Sequence, residues 1–124
     1  MDLSKLFLMQ KMYNEKIYGK WEKFPHIVEN YTQDLALCAH AEISELVSAT
    51  KYKKHHSQQP KDAPDESKIL YESVDVIRYI VAILNLWNMD SSIFESAFKK
   101  KDIYLNTRNR IDNNKWQGQP VAII

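Results

Sequence analysis

Glycine and proline are scarce in this chain, two and four residues in 124. A turn-rich β fold needs both at its many reversals, so their scarcity argues for long helices instead. With a single cysteine, Cys38, no internal disulfide is possible. No Cys or His falls at a zinc-ligand spacing either: His26 and His40 stand apart, and His55-His56 lies in a polar stretch. An excess of one charge is also missing. Lys and Arg total 17 against 16 Asp and Glu, which gives no general electrostatic case for nucleic acid or an anionic membrane, so any phosphate site must be local. No apolar run approaches the roughly 18 residues of a membrane span, and no signal peptide is apparent, so a soluble protein in a reducing, cytoplasmic setting is expected. Glycine-rich phosphate loops and serine-centred elbows are absent as well, which sets aside the chemistries built on them. A chain of this length fits one compact domain that is somewhat short of core volume, and a helical partner chain would complete it.

What the chain does have is helical periodicity. From about Leu3 to Lys20, Leu3, Leu6, Phe7, Met9, Tyr13 and Ile17 recur at spacings of three and four, as an amphipathic helix requires. Gly19, Pro25 and the aromatic residues between them end that segment. A second helix, from Val28 or Asn30 to Lys54, is rich in Ala, Leu and Glu with no internal Gly or Pro. Between His55 and Ser67, with Pro60 and Pro64, the chain reads as a polar surface loop. The third segment, Lys68 to Trp87, carries apolar residues around nearly its whole circumference, which predicts burial on most sides. After Asn88, Met89 and Asp90, Ser92 and Glu95 read as a capping box opening a fourth helix that ends near Ile111. The domain is expected to span 1–116. Residues 117–124 form a tail in which the β-branched run after Pro120 reads either as the start of a strand or as an apolar end.

The chemistry-bearing residues are carboxylates in apolar surroundings. Glu42 and Glu45 sit at i and i+3 on a seam that continues through Leu35, Cys38 and Ala49, and Glu72 and Asp75 repeat that spacing on the third helix. Burying unpaired carboxylates costs on the order of several kcal/mol each, so something positive must offset them. One Arg78 cannot neutralise four acids. If the two helices pack antiparallel, the pairs face each other and form an all-oxygen cluster suited to Mg²⁺ or Mn²⁺, of the kind helix bundles build from facing helices. The alternative is that the acids are solvated edges or pair with Lys and Arg from elsewhere. Lys53 and Lys54, about two turns beyond Glu45, and the basic stretch from Lys99 to Arg110 are candidates for outer phosphates. Gln10 both donates and accepts, as reading a pyrimidine edge requires, and Trp21 or Tyr52 is a candidate to stack on the ring. His40 supports such a site through a hydrogen bond at most, and Cys38 is read as a small core residue.

Glu42-x-x-Glu45, a polar loop, then Glu72-x-x-Asp75 inside an apolar helix resembles the all-α nucleotide pyrophosphohydrolases, the superfamily of the MazG-like enzymes, the dimeric dUTPases and the phage dCTPases. The dimeric dUTPase branch is most similar. Its first helix carries a Met-Gln pair followed by an acidic or amide residue and an Ile, matched here by Met9-Gln10, Asn14, Glu15 and Ile17. Its later lysine-rich helix is matched by Lys99, Lys100, Lys101, Asn106, Arg108 and Arg110. The chain departs from the pattern twice: Arg78-Tyr79 stands where the branch usually has His-Phe, and Ala82 where it often has a polar residue.

The resemblance covers roughly Leu3 to Trp116 and implies an all-α bundle of four to five helices completed by homodimerisation. It implies that Glu42, Glu45, Glu72 and Asp75 bind Mg²⁺ (or Mn²⁺) and serve catalysis, with Glu45 the first choice of general base. Lys99, Asn106 and Arg108 would meet phosphates. The expected reaction is hydrolysis of a deoxynucleoside triphosphate, dUTP first and dCTP second, to the monophosphate and pyrophosphate, in a phage or bacterial nucleotide-pool role without nucleic-acid or membrane partners. A MazG-like enzyme of broader nucleotide specificity and a non-catalytic helical dimerisation module are the alternatives.

Overall fold

A computed structural model describes residues 1–19, 25–51 and 63–111, and among them all regular structure is helical. The elements are α1 (Leu3–Tyr18), α2 (Pro25–Ala49), α3 (Glu66–Leu86) and α4 (Ser91–Ile111). The chain is therefore all-α, as its composition and periodicity predict.

Helix ends follow local chemistry. Asp2 caps α1 by accepting from the Lys5 N–H at 2.9 Å, and α1 stops at Gly19, whose φ of 78° is one that side chains with a Cβ rarely adopt. The second helix begins earlier than its apolar pattern suggests, because Pro25 at the first helical position lacks only an N–H that has no partner there anyway. The third begins two residues before Lys68, where Asp65 accepts from the Lys68 N–H at 3.0 Å and so recruits Glu66 and Ser67 into the helix. At its other end Asn88 takes a left-handed φ of 56°. The Met89 N–H then reaches the Leu84 carbonyl at 2.9 Å and the Asn88 N–H reaches that of Asn85 at 3.1 Å, a Schellman arrangement. The expected capping box at Ser92 is corrected: Asp90 caps α4, its carboxylate accepting from the Ile93 N–H at 2.9 Å and the Ser92 hydroxyl at 2.7 Å. A charged acceptor beside the N-terminal amides outcompetes a hydroxyl.

Helices α2 and α3 form an antiparallel pair. Trp87 donates to the Thr32 hydroxyl at 2.7 Å, Leu35 packs on Ala82 and Leu86, and the Asp65 N–H meets the Ala49 carbonyl at 2.9 Å. Positions rise along one helix as they fall along the other. Across α3 lies α1, tied by Asn85, which donates to the Phe7 carbonyl at 3.0 Å. The Phe94 ring of α4 packs against Phe7 with centroids 5.9 Å apart.

The core is small. It holds Phe7, Leu35, Ala39, Ala49, Val81, Ala82 and Leu86. The expectation that α3 is buried on most sides fails for the single chain, where Leu70, Tyr71, Val74, Ile77, Ile80 and Trp87 stay exposed. Described neighbours cover only part of its circumference.

Candidate active site

The antiparallel register carries Glu42 and Glu45 of α2 to the level of Glu72 on α3, and one carboxylate oxygen from each lies within 4.8 Å of the others. Glu42 and Glu72 are half-buried; Glu45 is exposed. Three acids so close repel one another, and the Glu72 carboxyl is held above its ordinary value of 4.5. The main cause is hydrogen bonding to the neighbouring Glu42 carboxyl, which favours the protonated form; burial and the Glu42 charge add to it, and Glu45 opposes it. The Glu72 Oε2 atom is cut off from solvent and has no hydrogen-bond partner. A hard divalent cation fits this place on its chemistry: the donors are all oxygens, and an orphaned, crowded carboxylate oxygen is what such an ion would satisfy.

Asp75 does not join the trio. It lies one turn further along α3, close enough for its charge to raise the Glu72 carboxyl further, and its side chain lines an open cleft of ≈ 480 Å³ between α1, α2 and α3. Gln10, Asn14, Arg78 and Tyr79 line the same cleft. Burial, followed by the nearby Cys38 and Glu42, pushes the Tyr79 hydroxyl upward, so Tyr79, which lines the cleft, also has Glu42 as a neighbour. The cleft therefore borders the carboxylate cluster through both Asp75 and Tyr79.

The cleft floor is polar where a core would be apolar. Gln10 and Asn14 are 5% and 7% exposed, the two most enclosed polar side chains among the described residues. Gln10 donates from Nε2 to Asn14 Oδ1 at 2.9 Å and accepts at Oε1 from Arg78 Nε at 2.7 Å. The Arg78 guanidinium sits 5.1 Å above the Tyr13 ring centroid. Sequence patterning singled out Gln10 but gave no role to Asn14, Arg78 or Tyr79. An amide pair at i and i+4 on an otherwise apolar helix face is the one signal that marks the first of these.

The other candidates fall elsewhere. Lys99 of α4 pairs with Glu95 at 3.4 Å and lines a separate hollow with Leu3, Phe94 and Phe98. Asn106 donates to the Asp102 carbonyl and carboxylate at 3.0 and 3.3 Å, and Arg108, on the same helix, is half-buried. His40 is exposed. Cys38, expected in the core, is instead exposed and neighbours the Tyr79 hydroxyl. Trp21, Tyr52, Lys53, Lys54 and the 117–124 tail lie outside the described residues.

An antiparallel helix pair that gathers oxygen donors beside a polar-floored cleft defines an all-α bundle with a candidate cation site on facing helices. A family model described as dUTPase matches residues 2–116, and the chain belongs to that family. Membership places it among dUTP-hydrolysing proteins in general terms. No curated protein and no solved structure matches the chain. No helix among the described residues is long and apolar enough to cross a membrane.

Proposed function

We propose that this chain is a Mg²⁺-dependent nucleoside triphosphate pyrophosphohydrolase that converts dUTP, and secondarily dCTP, to the monophosphate and pyrophosphate in the cytoplasmic nucleotide pool. The observation that carries the reading is the convergence of Glu42, Glu45 and Glu72 beside a cleft of nucleotide size. Glu42, Glu45 and Glu72 would hold the ion, with Asp75 next to them at the cleft wall. Bound there, Mg²⁺ (or Mn²⁺) supplies charge neutralisation for the triphosphate and an acidified water.

The chain's own groups do the rest. Glu45, the solvent-facing member of the trio, would take a proton from an attacking water onto a carboxylate oxygen. Tyr79 and Asp75 line the cleft and neighbour the acids, so a nucleotide lying there would set its base toward Gln10 and its phosphates toward the carboxylates. In this reading Lys53, Lys54, Lys99, Asn106 and Arg108 remain candidates for the outer phosphates, and Trp21 for stacking on the base. Lys99 and Asn106 would first have to leave their acidic neighbours on α4. A homodimer completes the unit, because exposed Met9, Val74 and Ile77 line an apolar groove between α1 and α3.

The test is a panel of deoxynucleoside and ribonucleoside triphosphates with and without Mg²⁺, scored for pyrophosphate release. dUTP is expected to lead, with activity lost in EDTA. Turnover of many bases at equal rate would favour the broader MazG-like reading, and no turnover of any triphosphate would leave the non-catalytic module.

A further inference from the structure

Asn and Gln side chains present a donor on one side and an acceptor on the other, and the two amides on the cleft floor are free to face either way unless something sets them. Arg78 sets them. Its Nε–H is a donor under all ordinary conditions and has no acceptor alternative, so the Gln10 atom 2.7 Å from it must be the carbonyl oxygen. With Oε1 committed to Arg78, the Gln10 amino group faces Asn14 and donates to its Oδ1 at 2.9 Å. Oxygen and nitrogen diverge from the trigonal carboxamide carbon, so an Asn14 oxygen turned to Gln10 leaves the Asn14 amino group directed elsewhere. The chain of bonds runs one way, from Arg78 through Gln10 to Asn14.

We infer that Arg78 is a specificity-determining positioning residue: by fixing the polarity of the Gln10–Asn14 amide pair it makes the cleft floor present N–H donors, and so selects a pyrimidine whose contacting edge carries a keto oxygen over one carrying an amino group. Both amides are more than nine-tenths buried, so a ligand donor placed against this floor would leave two donors facing each other without water to separate them. A keto oxygen at the pyrimidine 4-position is accepted; the exocyclic amine of cytosine is refused. The Tyr13 ring, with its centroid 5.1 Å from the Arg78 guanidinium carbon, gives Arg78 a second contact beside Gln10. The inference rests on the proposed placement of the base in this cleft, but not on turnover.

Two substitutions act on polarity in different ways. Arg78→Met removes the group that sets the direction while keeping the aliphatic stem, so both amide orientations become available. Gln10→Glu keeps the bond to Arg78 but replaces the donor facing Asn14 with a second acceptor; the Asn14 amide then turns its amino group inward and its oxygen to the cleft. Arg78→Lys retains a donor beside Gln10 Oε1. The ratio of kcat/KM for dUTP over dCTP is expected to fall by about tenfold or more in Arg78→Met. It should fall further in Gln10→Glu, with the dCTP value itself rising, and stay within a fewfold of wild type in Arg78→Lys. Titration calorimetry of dUMP against dCMP gives the same comparison without chemistry. A purely structural Arg78 would lower thermal stability in Arg78→Met and leave both ratios where they were, which would overturn the inference. So would a wild-type protein that binds dCMP as tightly as dUMP. Keto-selective dUMP binding without hydrolysis of any triphosphate would defeat the proposed reaction while upholding the role of Arg78.

Discussion

Glu72 illustrates how a single side chain is held in a state that favours binding over stability. Its carboxyl is crowded by Glu42 and Asp75, and one oxygen is buried without a hydrogen-bond partner. Replacement by the neutral isostere removes the repulsion without changing volume. Glu72→Gln is therefore expected to melt at a higher temperature than wild type in EDTA, to lose the rise in melting temperature that Mg²⁺ gives wild type, and to lose hydrolysis. Calorimetry with and without metal reads the first two. A melting temperature that falls in EDTA would show that the acid is held by stabilising contacts instead. The caps Asp2 and Asp90 behave oppositely. Their hydrogen bonds, chiefly from the Ser4 hydroxyl and Lys5 amide for Asp2 and from the Ile93 amide and Ser92 hydroxyl for Asp90, hold both carboxyls below the ordinary value of 3.8. A lowered folded-state value means that the stabilisation is complete above the unfolded value and disappears as pH falls through the folded one. Asp90→Asn keeps an acceptor at the cap without its charge, so as pH falls below about 4 its melting temperature should drop less steeply than that of wild type.

At the scale of elements, the α2–α3 pair organises the site, and its seam is made of small and medium side chains. Ala82 is 1% exposed and packs with Leu35 and Leu86. A larger side chain there has to push the helices apart, so Ala82→Leu is expected to cost about 1–3 kcal/mol in denaturant unfolding. Leu35→Ala leaves a gap on the same seam and should cost about 2–5 kcal/mol. Separating the helices also separates Glu42 and Glu45 from Glu72, so Ala82→Leu should weaken the thermal response to Mg²⁺ although Ala82 is not among the acids. An unchanged metal response at that stability cost would mean that the carboxylates converge independently of the seam.

At the scale of the whole molecule, apolar surface among the described residues exceeds what the four helices cover. Leu8, Met9 and Met12 on α1 are 56%, 56% and 62% exposed, and Ile77 on α3 is 52% exposed. Of these, Met9 and Ile77 share one apolar groove with Leu6 and Val74, and apolar residues gathered in one exposed patch mark an interface. Light scattering is expected to give twice the 14.6 kDa chain mass, and Ile77→Glu, which disturbs no buried group, should give the chain mass. A wild-type monomer would require another partner for this face or none.

Much of this molecule is written in its periodicities. Scarce glycine, the three-and-four spacing of Leu3 to Ile17 and the long apolar third segment determined four helices and their order, because helix formation reads local pattern. The acidic residues at i and i+3 announced themselves by being out of place among apolar neighbours. Local chemistry was harder to weigh: Asp90 displaced Ser92 as the cap of α4, and Pro25 and Asp65 extended α2 and α3, since helix ends turn on hydrogen bonds that spacing does not rank. Three things were left to tertiary structure. Register between α2 and α3 gathered Glu42, Glu45 and Glu72 and left Asp75 on the cleft wall. Packing of α1 against α3 brought Arg78 to Gln10 across 68 positions of chain and so fixed which way two amides face. The number of neighbours decided that α3 keeps an uncovered apolar side. Periodicity says which residues share a face of one helix; only the docking of helices says what that face meets.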